Sequence, residues 1–405
     1  MTVTGIDQVK HKLVSKLKGK RVGLITSNMS RSSNLASTLE TIKSMKGIKK
    51  LTLLSPEHGY FSDLQAGITV NSYFDEDLQV TVESLYRKPK NMEETIDGDI
   101  DLSMRTIDSQ KDSSKYPHED LMENFDTIVY DLQDVGCRIY THIATMVYAM
   151  EVSGKINQEF IILDRPNPIT GMNPEGPVLQ KDLFSFIGAV KMPIRHSLTL
   201  GEIALYFNRF FNKEKTVLSI IRMKNWKRDM WYDETGLPWV MPSPNMPTLD
   251  TATVYPGTVM FEGTNVSEGR GTTRPFQMIG APWINGIRLK EKLSELKYKS
   301  VRFIEMKFRP IFSKYAGKVC SGIYIYVKDR NSFKPFELSL AMIQELLDLY
   351  PGDFALYESY LDRVAGNKKI REMLLQGYST DEIMERFKDE IDQYSFNTNE
   401  IKVYK

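Results

Sequence analysis

The chain has 405 residues, too many for one ordinary hydrophobic core, so two domains are expected. Apolar residues make up 41% and charged residues 26%, a soluble globular composition, and 53 basic residues nearly cancel 52 acidic ones, which argues against a nucleic-acid partner held by net charge. Cys137 and Cys320 are the only cysteines and lie far apart, which argues against a disulfide framework and a cysteine-based zinc site.

Met1–His11 lacks the apolar core of an export signal, and no later run is long enough to span a bilayer. A cytoplasmic protein without membrane insertion is the expectation. Lys10–Lys20 reads as a short surface helix, and Arg21–Thr26 as a buried first strand that opens into the polar loop Ser27–Asn34. Leu35–Met45 has helical spacing (Leu35, Leu39, Ile42, Met45), and Leu51–Leu54 is the next strand. This β-α-β start implies a parallel sheet with a right-handed crossover. The second strand stops at Ser55-Pro56, because proline gives no N–H to a ladder, and Glu57, His58 and Gly59 follow at once. Gln79–Glu83 is a candidate strand, Asn91–Ile96 a candidate helix start, and Asp97–Glu119 a polar surface excursion. Thr127–Asp131 and Phe160–Asp164 are clear strands, separated by a helix over Thr141–Val152. A capping box, Thr199 to Glu202, opens a helix over Leu200–Phe211, and Val217–Met223 is a further strand. Prolines and glycines crowd 236–257, which places the domain boundary near residue 248. Beyond it, strands (Val301–Met306, Gly322–Val327) alternate with helices (Pro335–Tyr350, Ile370–Tyr378). A second capping box, Ser379 to Glu382, opens a helix over Asp381–Tyr394.

Strands ending at Thr26, Leu54, Asp131 and Asp164 each hand over to a polar cluster, and parallel pairing puts all four clusters on one sheet edge, where ligands bind in open α/β folds. The convergent set is Asn28, Glu57, His58, Asp131, Gln133, Asp134, Arg138, Tyr140, Arg165 and Asn167. Glu57 is read as a catalytic acid, since partial burial beside apolar walls disfavours its charged form. Asp131 is balanced between a loop-holding cap and a site residue. Asp134, before Val135-Gly136, is the better second carboxylate. Two such groups suit glycoside hydrolysis, one protonating the leaving oxygen and the other acting as base or nucleophile. Metal ligation by His58, His142 and Asp131 ranks lower, because no two histidines have ligand spacing on one helix. A nucleotide site is also disfavoured, because Ser27–Arg31 lacks the glycines of a pyrophosphate turn.

Six stretches carry a resemblance: Ser55–Gly59 (Ser-Pro-Glu-His-Gly), Asp131–Arg138, Leu163–Pro168, Pro242–Pro247, Tyr255–Gly257 and Glu262–Thr272. In this order, from about Arg21 to the C-terminus, they resemble the NamZ family of exo-β-N-acetylmuramidases. The resemblance implies a Rossmann-like, mostly parallel α/β catalytic domain (1–248), then a smaller α+β auxiliary domain (249–405) that closes a cleft. It implies release of N-acetylmuramic acid (MurNAc) from the non-reducing end of peptidoglycan fragments such as its disaccharide with N-acetylglucosamine (MurNAc-GlcNAc). The glutamate of Ser-Pro-Glu-His-Gly, here Glu57, would be catalytic. The expected site is then Glu57 as general acid and Asp134 as base or nucleophile. His58, Gln133, Tyr140 and Asn167 would lie on sugar hydroxyls and the acetamido group. Arg138 or Arg165 would lie on the lactyl carboxylate, and Asn28, Asn245, Glu262 and Arg270 are further binding residues. No metal or organic cofactor is expected. The rival from another class is a non-catalytic muropeptide-binding protein.

Overall fold

Fully buried parallel strands need apolar side chains on both faces, and the runs that satisfy this condition assemble into one sheet. The structure, a computed structural model, describes residues 1–57, 59–63, 72–86 and 115–405, and at Lys10 and His11 the backbone alone. The strands are β1 (Arg21–Thr26), β2 (Lys50–Ser55), β3 (Tyr73–Asp75), β4 (Val80–Ser84), β5 (Thr127–Asp131), β6 (Glu159–Leu163) and β7 (Val217–Ile221). Their order is β3-β4-β2-β1-β5-β6-β7, and every neighbouring pair is parallel except β3 with β4. The chain lays β2 and β4 on one side of β1, then returns to lay β5, β6 and β7 on the other. In open α/β sheets ligands bind outside the carboxyl ends of the strands where the order reverses, which here is beside β1.

Alternate residues feed two layers. Val22, Leu24, Leu53, Val129 and Ile161 pack with Val9, Leu13, Leu17, Leu39 and Ile42. Ile25, Leu54, Ile128, Tyr130, Phe160 and Ile162 pack on the other face with the helices His142–Lys155 and Leu200–Phe210. The basic N-terminal stretch is therefore not a surface helix. It forms two short helices, Val9–Lys12 and Val14–Leu17, and Leu13 and Leu17 are fully buried under the sheet.

The second domain has a smaller antiparallel sheet of β8 (Met278–Ala281), β9 (Val301–Phe308) and β10 (Cys320–Val327), in the order β8-β10-β9. Val135, Cys137, Ile139 and Tyr140, from the segment after β5, are buried in the same apolar cluster as Phe261, Phe276, Ile323 and Phe336 of the second domain. The two domains thus share a core, and the segment leaving β5 lies at their junction.

Both predicted capping boxes form, Thr199 with Glu202 and Ser379 with Glu382. A third, Ser37 with Glu40, starts the helix over Leu35–Met45 late, at Thr38–Lys43. The stretch after Ser379 is two helices, Thr380–Arg386 and Lys388–Asn399. The Pro- and Gly-rich stretch hides a helix, Leu249–Thr258, that runs through Pro256. Asn91–Ile96 and positions 97–114 of the polar excursion lie outside the described residues. Among the described residues no helix is long and apolar enough to cross a membrane.

Candidate active site

Glu57 stands one turn beyond β2. Ser55 still pairs with Ser84 of β4, Pro56 ends the ladder, and the Gly59 N–H closes a tight turn on the Pro56 carbonyl at 3.2 Å. This turn carries Glu57 inward, where it is 7% exposed. The Thr141 hydroxyl donates to Glu57 Oε2 at 2.6 Å. Thr141 holds the N-cap position of the 14-residue helix His142–Lys155 but makes no side-chain cap, because its hydroxyl is turned to the glutamate. The positive end of the helix dipole also faces this carboxyl group. Tyr86 closes the near side, with its hydroxyl 2.7 Å from Thr145 Oγ1.

The β5 junction separates its two aspartates. Asp131 is fully buried, and Arg165 grips it through Nε to Oδ1 and Nη2 to Oδ2, the latter at 2.8 Å, while Thr38 also donates to Oδ2. That bidentate pair ties the ends of β5 and β6 together. Asp134 lies three residues on. Its Oδ2 accepts the Gly136 N–H at 2.7 Å and faces His196 Nε2 at 3.1 Å. The Leu198 N–H donates to His196 Nδ1 at 3.2 Å, so the ring proton belongs on Nε2 and is donated to Asp134. Gly136 reaches back in this way at φ +81°, where a Cβ would also lie 2.4 Å from Ile169. His196 was not among the residues the sequence singled out. It is a lone histidine 62 positions from its partner, and no spacing rule marks it.

Tyr140 ends this segment, buried edge-on to His142 at 4.7 Å and to Tyr255 at 6.5 Å. Burial first, then the carboxyl groups of Asp134 and Glu57, push its phenol well above the usual tyrosine range, whereas Ser243 works in the opposite sense. The phenol therefore lies within electrostatic reach of both carboxylates and beside the Pro242–Pro247 motif, whose Asn245 is also buried. His142 Nδ1 is 3.0 Å from the Gln133 carbonyl, and Gln133 Nε2 donates to the Asp134 and Pro166 carbonyls.

The other expected residues divide. Asn28 and Arg31 sit after β1, where the Asn28 N–H bonds the Tyr60 carbonyl and Arg31 Nη2 donates to Asn28 Oδ1, each at 2.6 Å. Arg31, Gln133 and Arg165 line one small recess with Tyr232 and Pro238. Arg138 is 1% exposed and donates to the carbonyls of Pro177, Met192 and Val364, so it fastens the second domain to the first. Asn167 accepts the Ile169 N–H and donates to the Leu198 carbonyl, which holds its own turn. Glu262 and Arg270 pair with each other (2.6 Å), within a network that includes Glu268, Lys314 and Tyr360. His58 lies outside the described residues. Among the described residues, no three His, Cys, Asp or Glu side chains are grouped to hold a metal ion.

Comparison with known proteins finds similar chains along the whole length. Residues 22–109 and 106–250 match the model for the N-terminal part of exo-β-N-acetylmuramidase NamZ, and 253–404 match that for its C-terminal part. The chain is 40% identical over 402 residues to the peptidoglycan β-N-acetylmuramidase NamZ of Bacillus subtilis, covering 99% of this chain and 91% of that one. Two crystal structures of DUF1343 family proteins from Bacteroides fragilis are similar. One has a TM-score of 0.87 at 31% identity and the other 0.75 at 26%, each covering 100% of this chain and 99% of its own.

Proposed function

The chain belongs to the NamZ family of exo-β-N-acetylmuramidases, and we propose that it hydrolyses the terminal β-1,4 bond of peptidoglycan fragments, releasing N-acetylmuramic acid from the non-reducing end. The observation that carries the reading is Glu57: a buried carboxyl group just outside a central strand, bonded by Thr141 and in reach of the same phenol as Asp134. Glu57 is the general acid that protonates the leaving sugar oxygen, and Asp134 is the second carboxylate. Gln133 and Tyr140 face the sugar. Arg138 is engaged by backbone carbonyls and Arg165 by Asp131. The lactyl carboxylate of muramic acid is assigned to Arg31, which lines the recess with Gln133, is half-buried rather than buried, and is held by Asn28, the Leu35 carbonyl and a 3.9 Å contact with Glu40 rather than by a buried bidentate pair.

The test is incubation with the disaccharide MurNAc-GlcNAc and with a 4-nitrophenyl muramic acid glycoside, for wild type and Glu57→Gln. Loss of the acid should slow disaccharide cleavage by at least about 10²–10⁴-fold. The nitrophenyl substrate should suffer less, since its leaving group needs no proton. Full disaccharide activity in the variant would remove Glu57 from the mechanism. Saturable binding without any released monosaccharide from wild type would favour a binding protein instead.

A further inference from the structure

Two buried polar atoms of the segment after β5 have no hydrogen-bond partner among the described residues. Both donors to Asp134, the Gly136 N–H and His196 Nε2–H, converge on Oδ2. Oδ1 is buried and accepts no hydrogen bond among the described residues. The Tyr140 hydroxyl is buried too and, with Ser243 beside it, makes no hydrogen bond of normal geometry among the described residues. Buried polar groups are rarely left in this state, because each forfeits its bonds to water. The two belong to one folded segment: the Tyr140 ring lies edge-on to His142 at 4.7 Å, and His142 Nδ1 is 3.0 Å from the carbonyl of Gln133, the residue before Asp134. An open acceptor beside an open donor is the complement of a secondary amide, whose N–H donates and whose C=O accepts.

On the muramidase reading above, the substrate carries such an amide at C2, next to the bond that breaks. We propose that Asp134 and Tyr140 clamp the 2-acetamido group, Asp134 Oδ1 accepting its N–H and the Tyr140 hydroxyl donating to its carbonyl oxygen, so that the substrate supplies its own nucleophile. In the first step the acetamido oxygen bonds to C1 as the C1–O bond to the leaving sugar breaks. The proton of Glu57 goes to that leaving oxygen, and the positive charge that develops on the oxazolinium nitrogen lies against the Asp134 carboxylate. In the second step water gives a proton to the Glu57 carboxylate and attacks C1. The ring C1–O bond of the oxazoline breaks, and the acetamide is restored with the β configuration retained. His196 is a positioning residue in this scheme, since it fixes the carboxylate through the other oxygen.

Wild-type protein suffices for the decisive experiments. The first anomer of N-acetylmuramic acid seen by proton NMR should be β. The kcat/KM for 4-nitrophenyl glycosides should fall with each fluorine added to the N-acetyl group, because fluorine weakens the carbonyl nucleophile. Asp134→Asn should lower kcat by about 10²–10³-fold with little change in KM. Tyr140→Phe should make the fluorine series shallower. A first-formed α anomer, a flat fluorine series, or a glycosyl group trapped on Asp134 in a mass spectrum would overturn the clamp while leaving the muramidase assignment standing. No released N-acetylmuramic acid from any substrate would overturn the assignment itself, and the clamp with it.

Discussion

Replacing Glu175 by glutamine should stabilise the protein in a pH-dependent way. Glu175 comes from the first domain, and its Oε1 accepts the Glu337 N–H at 2.9 Å in the first turn of the second domain's helix Pro335–Leu349. Oε2 is buried with no hydrogen-bond partner among the described residues. Burial pushes the carboxyl from its ordinary 4.5 up to about 7. The Arg195 charge, the Glu337 N–H and Lys334 pull the other way, and the Glu337 charge adds to the rise. Between these values the folded protein holds a proton that the unfolded chain releases, so stability is full below about pH 4.5 and is lost as pH rises through about 7. At about 1.4 kcal/mol per pH unit, the loss is roughly 3 kcal/mol by pH 8. Glutamine keeps the acceptor for Glu337, puts an N–H₂ where Oε2 stands, and cannot ionise. Urea unfolding of both proteins, followed by tryptophan fluorescence across about pH 4.5–8, should give a difference near zero at the acid end. By the alkaline end that difference should grow to roughly 3 kcal/mol in favour of Gln. A difference that stays constant with pH, or a less stable Gln variant at pH 8, would refute the reasoning.

Arg31→Met should raise KM for muramic acid substrates by about 10–100-fold with kcat nearly unchanged, the expected loss of one charge-assisted hydrogen bond. An unchanged KM in steady-state assays would release Arg31 from recognition. Gly257→Ala would place a Cβ 1.9 Å from the Pro335 carbonyl oxygen, where two helices touch through backbone. A loss of about 1–3 kcal/mol or more is expected in thermal unfolding, and an unaltered Tm would deny that contact. Tyr404→Phe removes the 2.6 Å hydroxyl bond to Asp164 Oδ2. Burial raises the Asp164 carboxyl to about 6, and the hydroxyl restrains that rise. The variant should therefore lose about 1–3 kcal/mol above pH 6 and less at about pH 4, read from denaturant midpoints at the two pH values.

The four central strands and the carboxyl-edge placement of Glu57 and Asp134 were legible because a strand buried on both faces writes itself as an unbroken apolar run, as in Val22–Ile25 and Phe160–Leu163. Helices joined by backbone contact were not legible. Pro256 and Gly257 read as loop because their reason, the close passage of Pro335, lies far along the chain. The polar motifs hid more. Arg138, Arg165 and Asn167 look alike as ligand binders in sequence, since a guanidinium or amide carries the same donors whoever accepts them. Arg138 finds its acceptors 39, 54 and 226 positions away, and Arg165 finds Asp131 34 positions away. His196 was invisible for the same reason. What separates Asp131 from Asp134, two carboxylates in one four-residue stretch, is therefore not residue type but saturation. Asp131 has Arg165 and Thr38 on its oxygens and holds strands together. Asp134 is bonded through one oxygen, and its other oxygen, like the Tyr140 hydroxyl in the same segment, has no hydrogen-bond partner among the described residues. A folded chain rarely keeps a buried carboxylate oxygen and a buried hydroxyl unbonded unless something else comes to bond them. The place to look for chemistry is thus where the protein's own hydrogen bonds run out.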